Sequence, residues 1–346
     1  MLLATLKKAL SLLLTAVLLI SLYIGFQFHQ FKNLPINTSS DTVTFSIPKG
    51  ATIRQVSQNL TDHGLISDPF MFIVLAKING QETHIKAGEY QLNTQHTPND
   101  ILNLFIKGSS INYSFTIIEG WTFKQLIEEL KQDSILEHTI GDADSQEIMV
   151  QISGEKGHPE GLFLPDTYHF PRGTTDISFL KRAYVTMNEV LQKEWQNRAK
   201  DLPFKTPYEA LILASIIEKE TGVTYEMPII SAAFITRMKK GMRLQTDPTI
   251  IYGLGDSYDG DIRYRDLKKD TPYNTYIHKG LTPTPIAMPG REAIHAALNP
   301  APSDAIYFVS KGDGTHYFSK TLEEHNSAVR KYQLKGRKPK RKAESG

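Results

Sequence analysis

A chain of 346 residues without a cysteine can hold neither a disulfide framework nor a thiolate nucleophile or ligand, and it is long enough for about two domains. With 40% hydrophobic and 22% charged residues its composition is ordinary for a globular protein, so most of it should fold around packed cores. The formal charge of +2 is unevenly spread. The tail Lys335–Gly346 holds six basic residues against Glu344, a local +5 that leaves −3 elsewhere, so the folded part lacks the positive field a nucleic-acid binder needs.

Lys7 and Lys8 precede twenty uncharged residues, Ala9 to Phe28. At 1.5 Å per residue that run matches a hydrocarbon core of about 30 Å. It is longer than the apolar region of a cleavable signal, and Leu22–Phe28 is too bulky for a small-residue cleavage site, so an uncleaved anchor is expected. The basic flank assigns residues 1–8 to the cytoplasm and the bulk of the chain to the other side. Residues 29–42 read as a linker.

A repeat follows. "FSIPKGATIRQVSQNL" (45–60) and "FTIIEGWTFKQLIEEL" (115–130) share Phe, Ile, Gly, Thr, Gln and Leu at a constant offset of seventy residues. Each copy reads as a short strand, a glycine turn and a threonine-capped helix. After the first copy come a helix with Asp68 as cap and Pro69 at its first position, a strand in "KAGEYQL", and a capped helix in "TPNDILNLFIKG". This unit, 43–108, resembles a LysM-like module, of the kind that associates with cell-wall glycan. The second copy is expected to open the next domain.

From 113 to 333 strands and helices mix without regular βαβ alternation, which argues an α+β fold. The spacing predicts a long amphipathic helix over 176–198 and another over 206–221, with Thr206, Pro207 and Glu209 in the form of a capping box. A Gly-Asp-Gly hairpin is expected within 307–319 and a last helix in "TLEEHNSAVRKYQL". The basic end, 334–346, is expected to be disordered.

"ASIIEKET" (214–221) places two glutamates at the end of an apolar run. On a wheel of 100° per residue with Leu211 at zero, Glu220 falls at about 180°, within the apolar face, and Glu218 at about 340°, on the polar side. A buried carboxyl has a raised pKa and can donate a proton near neutrality. Periodicity leaves a second reading open, in which the helix stops at Ile217, Gly222 ends it and Glu220 faces water. Glu218 reads as a solvated surface residue. Downstream loops rich in Gly, Pro, Tyr, Asn, Gln and Asp suit the walls of a site for a polar, ring-shaped ligand. The histidines show no metal-ligand spacing and no phosphate-binding loop is present, so neither metal nor cofactor is expected.

The ordered set "EGLFLPDTY" (160–168), "LASIIEKET" (213–221), "MRLQTDPTIIYG" (242–253), "PYNTY" (272–276) and "GTHYFS" (314–319) resembles the YceG-like family of endolytic murein transglycosylases. The likeness implies a single-pass protein of the bacterial cytoplasmic membrane with its catalytic domain, 113–333, on the outer side. It further implies peptidoglycan strands as substrate, peptidoglycan synthases as partners, and Glu220 as catalytic residue. The bond cut would be MurNAc–GlcNAc β-1,4 in nascent strands, leaving 1,6-anhydro ends and terminating elongation. Gln245, Asp247, Asn274, Tyr276 and Asp166 are the proposed substrate-contacting residues. A non-catalytic glycan-binding scaffold and a hydrolytic muramidase are the alternatives.

Overall fold

The computed structural model describes residues 2–36, 38 and 40–334. Of the expected tail, all but Leu334 lies outside them. The chain falls into two compact units, one reaching to Tyr113 and including His169–Gly173, the other formed by Ser114–Tyr168 and the chain from Thr174 onward.

The first unit begins with helix α1 (Leu2–Asn33), of which Thr5–Asn33 is long and apolar enough to cross a membrane, and none of its most apolar stretch is buried. Its helical course continues five residues past the expected span. Phe28, at the end of the expected span, and Phe31, beyond it, pack against the core of the small unit. That core lies under an antiparallel pair, β1 (Thr42–Ile47) and β2 (Gly88–Asn93), with Phe45 opposite Tyr90. Between the strands run α2 (Ile53–Asp62) and α3 (Pro69–Ile78), and α4 (Pro98–Lys107) follows. Asp68 caps α3 by accepting from Phe70 and Met71 backbone N–H, as its place before Pro69 predicts.

The repeat is realised in three dimensions. Gly50 and Gly120 both take φ +77°, which a side chain rarely tolerates. Thr52 with Gln55 caps α2, and Thr122 with Gln125 caps α5 (Phe123–Gln132), each as a complete capping box. The recurring Gln is therefore the partner of the recurring Thr. β3 (Asn112–Thr116) pairs with β4 (Thr167–Pro171) in a second two-stranded sheet.

The larger unit continues with α6 (Ser145–Ser153) and α7 (Asp176–Gln196). It is built around α8 (Pro207–Glu220), which contacts α7, α9 (Met227–Lys239), α10 (Asp247–Leu254) and α11 (Arg291–Leu298). All eight residues Ala210–Ile217 are buried, so the helix is covered on every side and not along one stripe. Even Ser215, on the polar side of the wheel, is enclosed: its hydroxyl donates to Ile212 O at 2.7 Å and accepts Ile286 N–H at 3.0 Å. Thr206 caps α8, but Glu209 reaches one residue further back, to Lys205 N–H, leaving the capping box half made. The predicted hairpin is β5 (Tyr307–Ser310) with β6 (His316–Ser319), and α12 (Leu322–Tyr332) closes the described chain.

Candidate active site

Helix α8 does not stop at Ile217; it runs to Glu220, and Thr221 ends it in extended conformation with its N–H on Ile217 O. Glu220 thus stays on the helix, half-buried, with its carboxyl densely surrounded by protein. Burial pushes its pKa up to about 7; the charge of Asp247 adds to the rise, while the Thr246 hydroxyl bond, His316 and Arg237 oppose it. The Thr246 hydroxyl donates to Glu220 Oε1.

A hydroxyl network holds that donor in place. Thr246 N–H donates to Thr275 Oγ1 at 3.2 Å, and Thr275 Oγ1 lies 2.8 Å from Thr249 Oγ1, whose own hydroxyl bonds Thr246 O at 2.7 Å. Next along, Asp247 opens α10 with an exposed side chain and accepts the Tyr276 hydroxyl at 2.5 Å. Gln245, on the other flank, is exposed and held at φ +51°, an uncommon backbone state for a residue with a side chain. Gln245 and Asp247 flank Thr246, which bonds Glu220, and Tyr276 bonds Asp247, so the three are linked to the acid through Thr246.

Two proposed contacts are placed otherwise. Asn274 is 1% exposed; its amide donates to Leu267 O at 3.2 Å and Lys269 O at 2.8 Å, and its Oδ1 accepts Tyr276 N–H at 2.9 Å. It braces the loop that carries Tyr276 and has no free group to offer a sugar. Asp166 is exposed and bonds Thr167 N–H at 2.8 Å and Arg291 at 3.4 Å, with no contact to the Glu220 cluster. Glu218 also departs from expectation. It is half-buried, accepts Gly290 N–H at 2.9 Å at the start of α11, and has a pKa raised by burial and then by Glu119. Both acids have a negative neighbour, but the partner of Glu218 is a backbone N–H and that of Glu220 is a hydroxyl.

The larger comparison places these residues in a family. A family model described as YceG-like matches residues 45–331. The chain belongs to the YceG-like family. It is 31% identical over 332 residues to the endolytic murein transglycosylase of Bacillus subtilis, covering 90% of this chain and 91% of that protein. The endolytic murein transglycosylase of Streptococcus pneumoniae D39 is 27% identical, and there the match spans 89% of this chain but 61% of the longer relative. A crystal structure of a YceG-like protein from Listeria monocytogenes matches with a TM-score of 0.51 and 30% identity, over 84% of this chain and 99% of the other.

Several groups in this YceG-like chain escaped the sequence reading. Arg237, 7% exposed, donates to Ile306 O and Leu244 O and so anchors the segment leading to Thr246. His316 pairs with buried Glu226 through Nδ1 at 2.8 Å. Glu160 is 3% exposed, and its carboxyl accepts Phe123 N–H at 2.9 Å and the Tyr252 hydroxyl at 3.0 Å. Burial raises its pKa to about 7 against those bonds. It stands in a loop, where no helical or strand period marks burial, so only its place in "EGLFLPDTY" could have flagged it. The turn after it needs glycine: Gly161 has φ +78°, and a Cβ there would lie 2.5 Å from the Pro285 ring. Glu160 lines a cavity of about 770 Å³ with residues of α5 and α10. Among the described residues no three His, Asp or Glu side chains are grouped as a metal site.

Proposed function

We propose that this chain is a membrane-anchored lytic transglycosylase that cuts the MurNAc–GlcNAc β-1,4 bond within peptidoglycan strands, with Glu220 as its acid and base. The observation that carries the reading is one half-buried glutamic acid with a pKa pushed up to about 7, held by Thr246, whose sequence neighbours Gln245 and Asp247 are exposed and whose Asp247 takes the hydroxyl of half-buried Tyr276.

Neutral Glu220 gives its proton to the glycosidic oxygen as the C1–O bond breaks. The resulting carboxylate then takes the proton of the MurNAc 6-hydroxyl while O6 bonds to C1. A 1,6-anhydro end forms, water is not consumed, and Glu220 ends as it began. Gln245, Asp247 and Tyr276 contact the sugar; Asn274 supports their loop, and Asp166 lies outside this group. Release of strand ends in this way would terminate elongation, which suits a partner among peptidoglycan synthases. Lys7 and Lys8 keep the N-terminus in the cytoplasm, which puts the chain beyond α1 on the outer side of the bacterial membrane. The strand–helix–helix–strand order of the small unit supports its reading as a LysM-like glycan-associating module.

A hydrolytic muramidase is the second reading, favoured by the second carboxylate, Asp247, next to Glu220. Full-length protein in detergent, incubated with purified sacculi in ¹⁸O-labelled water, separates them by mass spectrometry. Anhydro-ended muropeptides without label are expected, lost in Glu220→Gln and kept in Glu218→Gln. Labelled reducing ends would establish hydrolysis; binding without products would leave a scaffold.

A further inference from the structure

The cavity between α5 and α10 shares two chain junctions with the acid. Lys219 and Pro248 line it, and their immediate neighbours Glu220 and Asp247 form the site described above. The cavity wall thus stands one residue along the chain from Glu220 and one from Asp247. The cavity volume, about 770 Å³, falls in the range of small-ligand sites.

The lining is aromatic and hydroxyl-bearing, with two lysines against three acids. Tyr252 and Tyr273 meet edge to face with centroids 4.8 Å apart, and the Tyr273 hydroxyl bonds Thr284 Oγ1 at 2.9 Å. Lys124 is paired with Asp256 at 2.7 Å, and Lys219 donates to Gly120 O at 3.1 Å. At the wall Glu160 joins the two helices, one oxygen on Phe123 N–H of α5 and the other on the Tyr252 hydroxyl of α10. Both carboxyl oxygens thus already accept a hydrogen bond from the protein. A stem peptide with several carboxylates would call for a net positive lining; here Lys124 and Lys219 face Glu128, Asp256 and Glu160. Polar tips around aromatic faces instead match an uncharged, hydroxyl- and amide-bearing ring.

We infer that this cavity is a subsite for an uncharged N-acetylated sugar ring of the strand, one step removed from the bond at Glu220. The inference rests on the glycan reading of Glu220 but is tested apart from cleavage. Trp121 immediately precedes Thr122 of the cavity wall, the other tryptophan is Trp195, and the small unit has none. Full-length Glu220→Gln/Trp195→Phe protein in detergent is titrated with the GlcNAc tetramer, reading Trp121 fluorescence. A saturable change is expected. It should weaken at least about tenfold when Ile251→Phe fills the cavity or, on the exposed rim, when Glu128→Tyr does so, each with the unfolding transition of the parent. A free stem pentapeptide should give no change. The subsite is overturned if both filled variants bind the tetramer as the parent does, if the tetramer produces no saturable change, or if the pentapeptide binds as tightly. Loss of anhydro products in the sacculus assay would defeat the catalytic reading and leave this binding result standing.

Discussion

Replacing Glu220 by Gln should remove cleavage and at the same time stabilise the larger unit, with a pH dependence that identifies the cause. Gln has the shape of the protonated acid and can still accept the Thr246 hydroxyl. The carboxyl of the folded protein titrates near 7 against an ordinary value of 4.5. A raised carboxyl pKa favours folding at low pH, where both states are protonated and nothing is lost, and costs stability progressively as pH climbs from 4.5 through 7. Above 7 the cost levels off at about 3 kcal/mol, from 1.36 kcal/mol per unit. The variant should therefore match the wild type at pH 4, exceed it by about 1 kcal/mol at pH 5, and by about 3 kcal/mol at pH 8. For a unit of this size the last figure is about 6–12 °C in midpoint. Thermal unfolding of both proteins across pH 4–8, beside the sacculus assay, measures the two effects together. A gap that stays flat with pH would refute the assignment of a retained proton to Glu220, as would full cleavage by the variant.

Three other substitutions probe the surroundings. Thr246→Val keeps the branched shape but removes the hydroxyl that holds the Glu220 pKa down, so the basic limb of the pH–rate profile should move up and kcat fall by about 10–100-fold. An unmoved limb would show that the bond does not form. Asn274→Ala should cost about 1–2 kcal/mol by removing the buried amide that pairs the partly covered carbonyls of Leu267 and Lys269, seen as a lower denaturation midpoint; loss of affinity with unchanged stability would return it to the substrate-contacting set. Gln245→Gly relieves the φ of +51° and should hold stability within about 1 kcal/mol while KM rises, since the exposed amide is gone. An unchanged KM would remove Gln245 from the sugar contacts.

The legible parts of this fold were those with a local signal. Threonine followed three residues later by glutamine marked both copies of the repeat, and Asp68-Pro69 marked the start of α3. Glu220 was visible because it stands at a helical position, where period carries information about burial. The wheel nevertheless misjudged the opposite side of α8, because it assumes one solvent face and the helix is wrapped by four others, enclosing Ser215 and half of Glu218. Glu160 and Asn274 sit in irregular segments, where burial depends on contacts across 37 residues in one case and on the curl of a single loop in the other. The inclusion of His169–Gly173 with the first unit likewise links segments far apart in the chain, which no stretch of sequence announces.

Thr246 shows why the acid's partner was harder to find than the acid. Thr52, Thr97, Thr122, Thr175, Thr206 and Thr321 each begin a helix and turn the hydroxyl oxygen to a backbone N–H of its first turn. Thr246 begins α10 from the same kind of sequence, with Pro248 close behind, yet makes no such bond. Its hydroxyl is directed to Glu220, forgoing about 1 kcal/mol of capping. What diverts it is Thr275, on a loop 29 residues further on, which takes the Thr246 N–H and fixes the residue's orientation. In sequence Thr246 is one more cap; in the folded chain it is the exception among them, and the stability it gives up is spent on the side chain whose own burial is already unfavourable. Two adjacent departures from the cheapest arrangement, at a helix end and a helix start packed together, single out Glu220 more sharply than either does alone.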